Sequence, residues 1–160
     1  MERFIEMVKR ANKLYDTADH LAYITYPLVK DTKLIITIIE NLYASLVAGM
    51  DALLYYDRLY KRINPYSENF HSKFEIFKTK TAPRYGIDRQ KILLILDLRE
   101  IIKKRQESPM EFIRKESYVI ASHDYQLKMI SIEKTKQYLE DSKDFFEKLN
   151  RIARHNGRRL

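Results

Sequence analysis

The sequence has no cysteine, and it has only three glycines and four prolines among its 160 residues. Without cysteine it cannot form a disulfide framework, a thiolate nucleophile or a cysteine-based zinc site. Three scattered glycines cannot build a glycine-rich loop that cradles phosphate, and no nucleophilic serine motif is present. The few glycines and prolines, together with abundant Ile, Lys, Glu and Tyr, are typical of a thermophile's protein.

The chain carries a strong positive charge, with 30 Lys and Arg against 22 Asp and Glu, and a net charge of +8. Such a balance favours a polyanionic partner, and RNA or DNA is the predicted one. The length of 160 residues and the apolar content of 45% fit a single domain with a real core. The N-terminal residues 1–16 contain frequent charges and no apolar signal core, so we predict a cytoplasmic protein.

Apolar periodicity predicts a helix over residues 2–25 that ends near Pro27, because the residue before a proline avoids helical angles. A second helix is predicted over 32–62, with Asp31 or Thr32 as its N-cap. The second helix is apolar on most sides from Leu34 to Tyr56, which is typical of a helix at the centre of a protein or in a membrane. Charged residues inside and beside it favour the central helix, and no membrane partner is predicted.

The middle of the chain predicts shorter elements. Ser67 is predicted to cap a short helix that carries Phe70, Phe74 and Phe77, and the string TAPRYG at 81–86 is predicted to break the chain. A helix over 89–106, capped by Asp88, is predicted to point Ile92, Leu93, Ile95, Leu96 and Ile102 inward.

Residues 108–132 have two possible structures. The string SPMEF at 108–112 fits a capping box, which predicts one helical turn. Residues 117–132 predict a β-hairpin in which 118–121 pairs with 127–132; the alternative is a continuous helix from 110. The last helix is predicted over about 133–156, with Gly157 as its C-terminal cap.

The predicted fold class is therefore mainly α, an antiparallel four- to five-helix bundle with a small β-hairpin at about 117–132 before the last helix. We predict a single helical-bundle domain over residues 1–156 and a basic C-terminal tail over 157–160. The apolar surface of the second helix predicts a homodimer, formed through that helix or through the hairpin.

Three acidic or imidazole side chains could hold a metal ion. Asp16, Asp19 and His20 share one helix face, and their donor atoms suit Zn²⁺, Mn²⁺ or Fe²⁺. Tyr15, Ala18 and Ala22 already supply the buried face, so Asp16 and Asp19 are predicted to be solvated, with no metal and no cofactor bound. Glu40 and Asp51 lie about three helical turns apart, either paired with Lys or Arg across the bundle or on an exposed stripe.

The last helix ends with Arg151 and His155, which lie four residues apart and so share one face. An imidazole beside a guanidinium could act on a phosphodiester as an acid or base while the arginine holds the phosphate. The alternative is that cations at a helix C-terminus only offset the helix dipole.

Tyrosine alternates with basic residues in YYDRLYKRINPY at 55–66, and residues 58–91 contain nine Lys or Arg against three acids. Tyrosine rings stack on bases while cations contact phosphates, so this composition suits single-stranded nucleic acid. The alternative is that these tyrosines pack at the rim of the bundle with wet hydroxyls. The predicted nucleic-acid-binding residues are Tyr56, Arg58, Tyr60, Lys61, Arg62, Lys78, Lys80, Arg84, Arg154, Arg158 and Arg159.

The strings KRANKLYDTADHLAY and NLYASLVAGMDALLYY have Ala-rich inward faces, and the pattern over roughly residues 2–155 resembles the HEPN domain. The resemblance implies an antiparallel four-helix bundle that commonly dimerises, in a family with ribonucleases and partners of nucleotidyltransferases. Nuclease members carry Arg, four to six residues, and then His. Only three residues separate Arg151 from His155, so the resemblance implies an inactive or divergent member.

The predicted function is a non-catalytic binding protein that is homodimeric and binds nucleic acid or a nucleotide through its basic, tyrosine-rich surface. One alternative is a metal-independent, HEPN-like ribonuclease that uses Arg151 and His155. Another alternative is a purely structural module that binds a partner protein.

Overall fold

The computed structural model describes residues 1–107, 110–114, 117–121 and 127–157. Over these residues the chain is mainly α with one small antiparallel sheet, as the sequence predicts. The four long helices are α1 (Glu2–His20), α3 (Leu34–Leu59), α6 (Arg89–Glu107) and α7 (Ile132–Gly157), and the short ones are α2 (Tyr26–Val29), α4 (Phe70–Ile76) and α5 (Ala82–Arg84).

Helix α3 is the centre of the bundle, because it packs on α1, α6 and α7. Its side chains at Ile35, Leu42, Leu46 and Leu53 are fully buried. By length and composition α3 is long and apolar enough to span a bilayer, but half of its most apolar 18-residue stretch is buried inside the protein. A buried core helix accounts for this apolar sequence, and the predicted central position is confirmed.

Contacts between the long helices fix their directions. The ring of Phe4 lies 4.8 Å from that of Tyr56, so α1 begins where α3 ends. Asn156, in the last turn of α7, also bonds Tyr56. Arg105, near the end of α6, pairs with Glu40, near the beginning of α3. The start of α1 and the ends of α3 and α7 therefore meet at one end of the bundle.

Two prolines lie inside helical segments and do not end them. A π-helical stretch, Leu21–Thr25, joins α1 to α2, which contains Pro27, and a second one, Phe77–Thr81, joins α4 to α5, which contains Pro83. A π-helix widens the turn, which relieves the clash and the missing hydrogen bond that proline causes in an α-helix. The predicted helix end near Pro27 is therefore wrong by a few residues, because α2 continues to Val29. The predicted break over 81–86 is confirmed, since α5 ends at Arg84 and Gly86 has the left-handed φ of 68°.

Lysine occupies two backbone positions where glycine is usual. Lys30 follows α2 with φ 55°, and Lys61 follows α3 with φ 58°. Left-handed angles strain any residue with a Cβ atom, so glycine normally ends helices in this way. In this chain, which has only three glycines, lysine takes the left-handed position at both helix ends.

Replacing Lys30 with glycine is expected to raise the free energy of unfolding by about 1 kcal/mol, because it removes this strain. Urea unfolding of the variant would measure the gain. Lys33→Gly is the matched control, since Lys33 is exposed and right-handed with φ −64°. The control is expected to lower stability, and equal changes in the two variants would contradict the explanation.

The sheet has the strand order β1–β2–β3, with β1 at Met110–Arg114, β2 at Ser117–Ala121 and β3 at Leu127–Ser131. Val119 of β2 pairs with Met129 of β3, which confirms the predicted hairpin. Residues 110–112 belong to a strand, so the predicted helical turn there and the alternative continuous helix are both wrong. Pairing with β2 decides their conformation, and Ser108 and Pro109 lie outside the described residues.

Local predictions elsewhere are partly correct. Asp88 accepts a hydrogen bond from the Lys91 amide, as expected of an N-cap. The short helix α4 is capped by Asn69, which accepts from the Ser72 amide, and not by Ser67. Predicted inward residues Leu93 and Leu96 of α6 are instead exposed, because an uninterrupted apolar run does not indicate which side is buried.

Candidate functional site

A cleft of about 500 Å³ opens where the C-terminal ends of α3 and α7 meet. This volume is within the range of small-ligand sites. Helix α7 contributes three polar side chains to it, and the end of α3 contributes two tyrosines and the arginine that follows. The lining residues are Tyr56, Tyr60, Arg62, Tyr85, Arg151, Ile152, His155 and Asn156. We call this space the first cleft.

A buried carboxylate organises one wall of the first cleft. Asp57, in the last turn of α3, is fully buried. It accepts hydrogen bonds from the Thr81 hydroxyl at 2.9 Å, from the Arg84 guanidinium and from the Tyr85 hydroxyl. Thr81 ends the π-helical stretch before Pro83, and Arg84 and Tyr85 follow within four residues, so one short segment supplies three donors to a single carboxylate.

Arg62 is held at the cleft by the same group of side chains. Its guanidinium donates to the Tyr85 hydroxyl at 2.9 Å and lies 3.8 Å from the Asp57 carboxylate. It also lies over the rings of Tyr56 and Tyr60, at 5.5 and 5.3 Å from their centroids. These contacts hold Arg62 in position. Because 40% of its side chain remains exposed, the guanidinium can still reach a ligand.

Burial raises the pKa of the Tyr85 hydroxyl well above its ordinary value, and the hydrogen bond to Asp57 is the second largest cause of this shift. The phenol therefore stays protonated throughout the neutral and moderately alkaline range, and it keeps its donor proton for Asp57. Tyr85 links the buried carboxylate to the exposed arginine without adding a negative charge to the cleft.

The opposite wall is tied to α3 by an amide. The Asn156 amide nitrogen donates to the Tyr56 hydroxyl at 3.1 Å and to the Ile152 carbonyl at 2.8 Å. Asn156 is buried, whereas Arg151 and His155, on the same turns of α7, are exposed. The bond fixes the end of α7 beside α3, and it places Arg151 and His155 across the cleft from Arg62.

The charges of the first cleft favour an anion. Arg62 and Arg151 line it, and the buried Asp57 carboxylate forms ion pairs with Arg62 and with Arg84. Guanidinium groups bind phosphate through paired donors, and exposed tyrosine rings can stack on bases. The arrangement can therefore bind a phosphate group next to an aromatic surface.

The structure brings only part of the predicted set together. Tyr56, Tyr60 and Arg62 line the first cleft with Arg151 and His155, and Arg84 supports it through Asp57. Arg58 and Lys61 line a second cleft beside it. Lys78, Lys80 and Arg154 are exposed and line neither cleft. Arg158 and Arg159 lie outside the described residues.

The weak metal candidates are not assembled into a site. Asp16 and His20 are exposed along a shallow groove on α1 that Asp19 does not line. Within the described part of the chain, no three acidic or imidazole side chains are grouped as metal ligands. Glu40 and Asp51 are paired across the bundle, with Arg105 at 3.6 Å and with Lys73 at 3.0 Å.

Sequence reasoning missed four residues of this site: Asp57, Thr81, Tyr85 and Asn156. Asp57 had a usable signal, because it lies three and four residues after Leu54 and Leu53 on the buried face of α3. A carboxylate on such a face needs donors from elsewhere in the chain. Thr81, Tyr85 and Asn156 carried no comparable signal.

No protein-family model, curated protein or solved structure matches this chain.

Proposed function

We propose that this chain binds single-stranded nucleic acid, RNA or DNA, in the first cleft. The observation that carries the proposal is the fixed, half-exposed guanidinium of Arg62, which lines the same cleft as Arg151 and three tyrosines. A phosphate between the two arginines would place the neighbouring base near the exposed ring of Tyr60. The net charge of +8 would attract the strand from a distance.

Arg62→Ala and Arg151→Ala are each expected to weaken the binding of a labelled single-stranded oligonucleotide about tenfold. Fluorescence anisotropy at increasing salt would measure the affinity. Each substitution should also reduce the slope of log affinity against log salt by about one, since one phosphate contact is lost.

Lys103→Ala is the matched control for net charge, because Lys103 is exposed near the end of α6, at the other end of the bundle. The control is expected to change affinity little. Equal losses in all three variants would show that charge alone drives binding, and no binding by the wild-type protein at low salt would refute the proposal.

Metal-independent RNA cleavage is the second candidate function. It is favoured by one observation: Arg151 and His155 open onto the same cleft as Arg62. If His155 transfers a proton at the phosphodiester, His155→Ala should lower the cleavage rate of bound RNA by about 100-fold or more. Equal cleavage by both proteins would eliminate His155 as the catalyst, and binding without cleavage would leave a binding protein.

The homodimer, the partner protein, the cytoplasmic location and the HEPN-like family stay predictions. The apolar surface of α3, on which the homodimer prediction depended, is covered by helices of the same chain. A dimer would therefore need another face, such as the exposed side chains of Leu28 and Val29 in α2 and of Ile24 just before it.

A further inference from the structure

A second cleft, of about 650 Å³, lies on the neighbouring side of the same end of α3. Three cationic side chains line it, Arg3, Arg58 and Lys61, together with Tyr55 and Tyr66. The Arg58 guanidinium lies over the Tyr66 ring, at 5.9 Å from its centroid. The second cleft thus repeats the combination of cations and tyrosines found in the first one.

Two acids also line the second cleft, and their surroundings limit their effect on an anion. Asp51 forms an ion pair with Lys73 at 3.0 Å. Glu68 is 85% exposed and lies 3.7 Å from the same lysine. Counting Lys73, four cations stand against two carboxylates, so an anion is still favoured there.

The two clefts meet at the turn that ends α3. Consecutive helix residues are rotated by about 100°, which directs Tyr56 and Tyr60 to the first cleft and Tyr55 and Arg58 to the second. After the helix, Lys61 lines the second cleft and Arg62 lines the first. Neighbouring residues of one chain segment therefore present a cation to each side.

The turn that carries these two cations is closed by a pair of backbone hydrogen bonds. The Arg62 amide donates to the Asp57 carbonyl at 2.8 Å, and the Lys61 amide donates to the Arg58 carbonyl at 3.0 Å. This pattern is a Schellman motif in which Lys61 occupies the left-handed position usually given to glycine. Lys30 has the same backbone angle and lines neither cleft, so the feature that distinguishes Lys61 is its position on the second cleft.

We infer that one nucleic acid strand crosses the end of α3 and occupies both clefts, with Lys61 holding a phosphate on the second side. The ligand is then an oligonucleotide strand, and a mononucleotide or dinucleotide fills only the first cleft. This inference rests on the proposed function, because it extends the ligand of the first cleft.

The test compares a labelled single-stranded decanucleotide with a labelled dinucleotide by fluorescence anisotropy. Lys61→Gly is expected to weaken decanucleotide binding roughly tenfold and to leave dinucleotide binding unchanged, since one phosphate contact is lost. Lys30→Gly is the matched control: it removes the same charge at the same backbone angle, at the opposite end of α3. It is expected to leave both affinities unchanged.

Both glycine variants are expected to unfold at a higher urea concentration than the wild-type protein, because each loses the left-handed strain. Urea unfolding of Lys61→Gly therefore distinguishes a lost phosphate contact from a loss of folded protein. If wild-type protein binds both probes and Lys61→Gly binds the decanucleotide equally well, this inference fails and the proposed function stands. If neither probe binds to the wild-type protein, the proposed function fails, and the inference with it.

Discussion

Asp57→Ala is expected to lower the free energy of unfolding by about 2–3 kcal/mol, because it removes a fully buried carboxylate that accepts hydrogen bonds from three side chains. The Thr81 hydroxyl is buried and the Tyr85 hydroxyl is half-buried, so these two donors carry most of the cost of lost hydration without a partner. The Arg84 side chain is 34% exposed and regains water, so its share of the loss is smaller. Urea unfolding followed by far-UV circular dichroism would measure the change.

Asp51→Ala is the matched control, since it makes the same substitution on the same helix. Asp51 is 32% exposed and pairs with Lys73 near the surface, so its loss is expected to cost no more than about 1 kcal/mol. Equal effects of the two substitutions would show that the Asp57 group does not stabilise the fold as described here.

Asp57 also affects the first cleft, because Arg62 and Tyr85 depend on it for their positions. At a temperature where Asp57→Ala remains folded, its affinity for the single-stranded oligonucleotide is expected to fall about tenfold, as when Arg62 itself is removed. Unchanged affinity in a folded variant would show that Arg62 keeps its position without the carboxylate.

Gly49→Val is expected to lower the free energy of unfolding by about 3 kcal/mol or more through overpacking. A Cβ atom at Gly49 would lie 2.5 Å from the Phe145 ring and 3.3 Å from Leu149. The Phe145 ring cannot move aside easily, because it is fully buried and packs edge-on against Phe146. The missing side chain at Gly49 therefore allows α7 to approach α3 closely at this point.

Gly49→Ala is a smaller substitution at the same position, and the direction in which it changes the free energy of unfolding tests the same contact. Helix propensity alone would favour alanine by about 1 kcal/mol. The 2.5 Å contact outweighs this preference, so we expect a net loss of stability that is smaller than that of valine. A second substitution, Phe145→Leu, should recover part of the loss in a double-mutant cycle, whereas strictly additive effects would rule out the contact as the cause.

The buried face of α1 illustrates what could be predicted from local sequence. The apolar residues predicted to share one face of this segment are Phe4, Val8, Ala11, Tyr15, Ala18 and Ala22. Tyr15 is half-buried, and the other five are buried in α1 and in the π-helical stretch that follows it. The same reasoning failed for Leu93 and Leu96 of α6, where apolar residues occupy several faces and only the packing on α3 selects one of them. Periodicity gives a direction only where polar residues mark the opposite face.

The candidate site shows the same limit over longer sequence distances. Arg151 and His155 could be grouped from the sequence because one helix face carries both. Their position opposite Arg62 depends on the parallel packing of α3 and α7, which joins residues almost a hundred positions apart. The hydrogen bond between Asp57 and Tyr85 could not be predicted from the sequence, because it depends on the path of the chain around Thr81. The π-helical stretch that ends at Thr81 has no distinct sequence signal.

By itself, the sequence determined the mainly-α class, the central apolar helix and the cationic charge, and it favoured the hairpin before the last helix over a continuous helix. These follow from composition and from periodicity over a few turns, which act within one element. Tertiary structure alone decided that residues 110–114 form a strand, that two prolines are contained within helical segments and that Thr81, Arg84 and Tyr85 bond to Asp57. Each depends on a hydrogen-bond partner or a packing surface supplied by a distant or irregular part of the chain, and local sequence does not encode it.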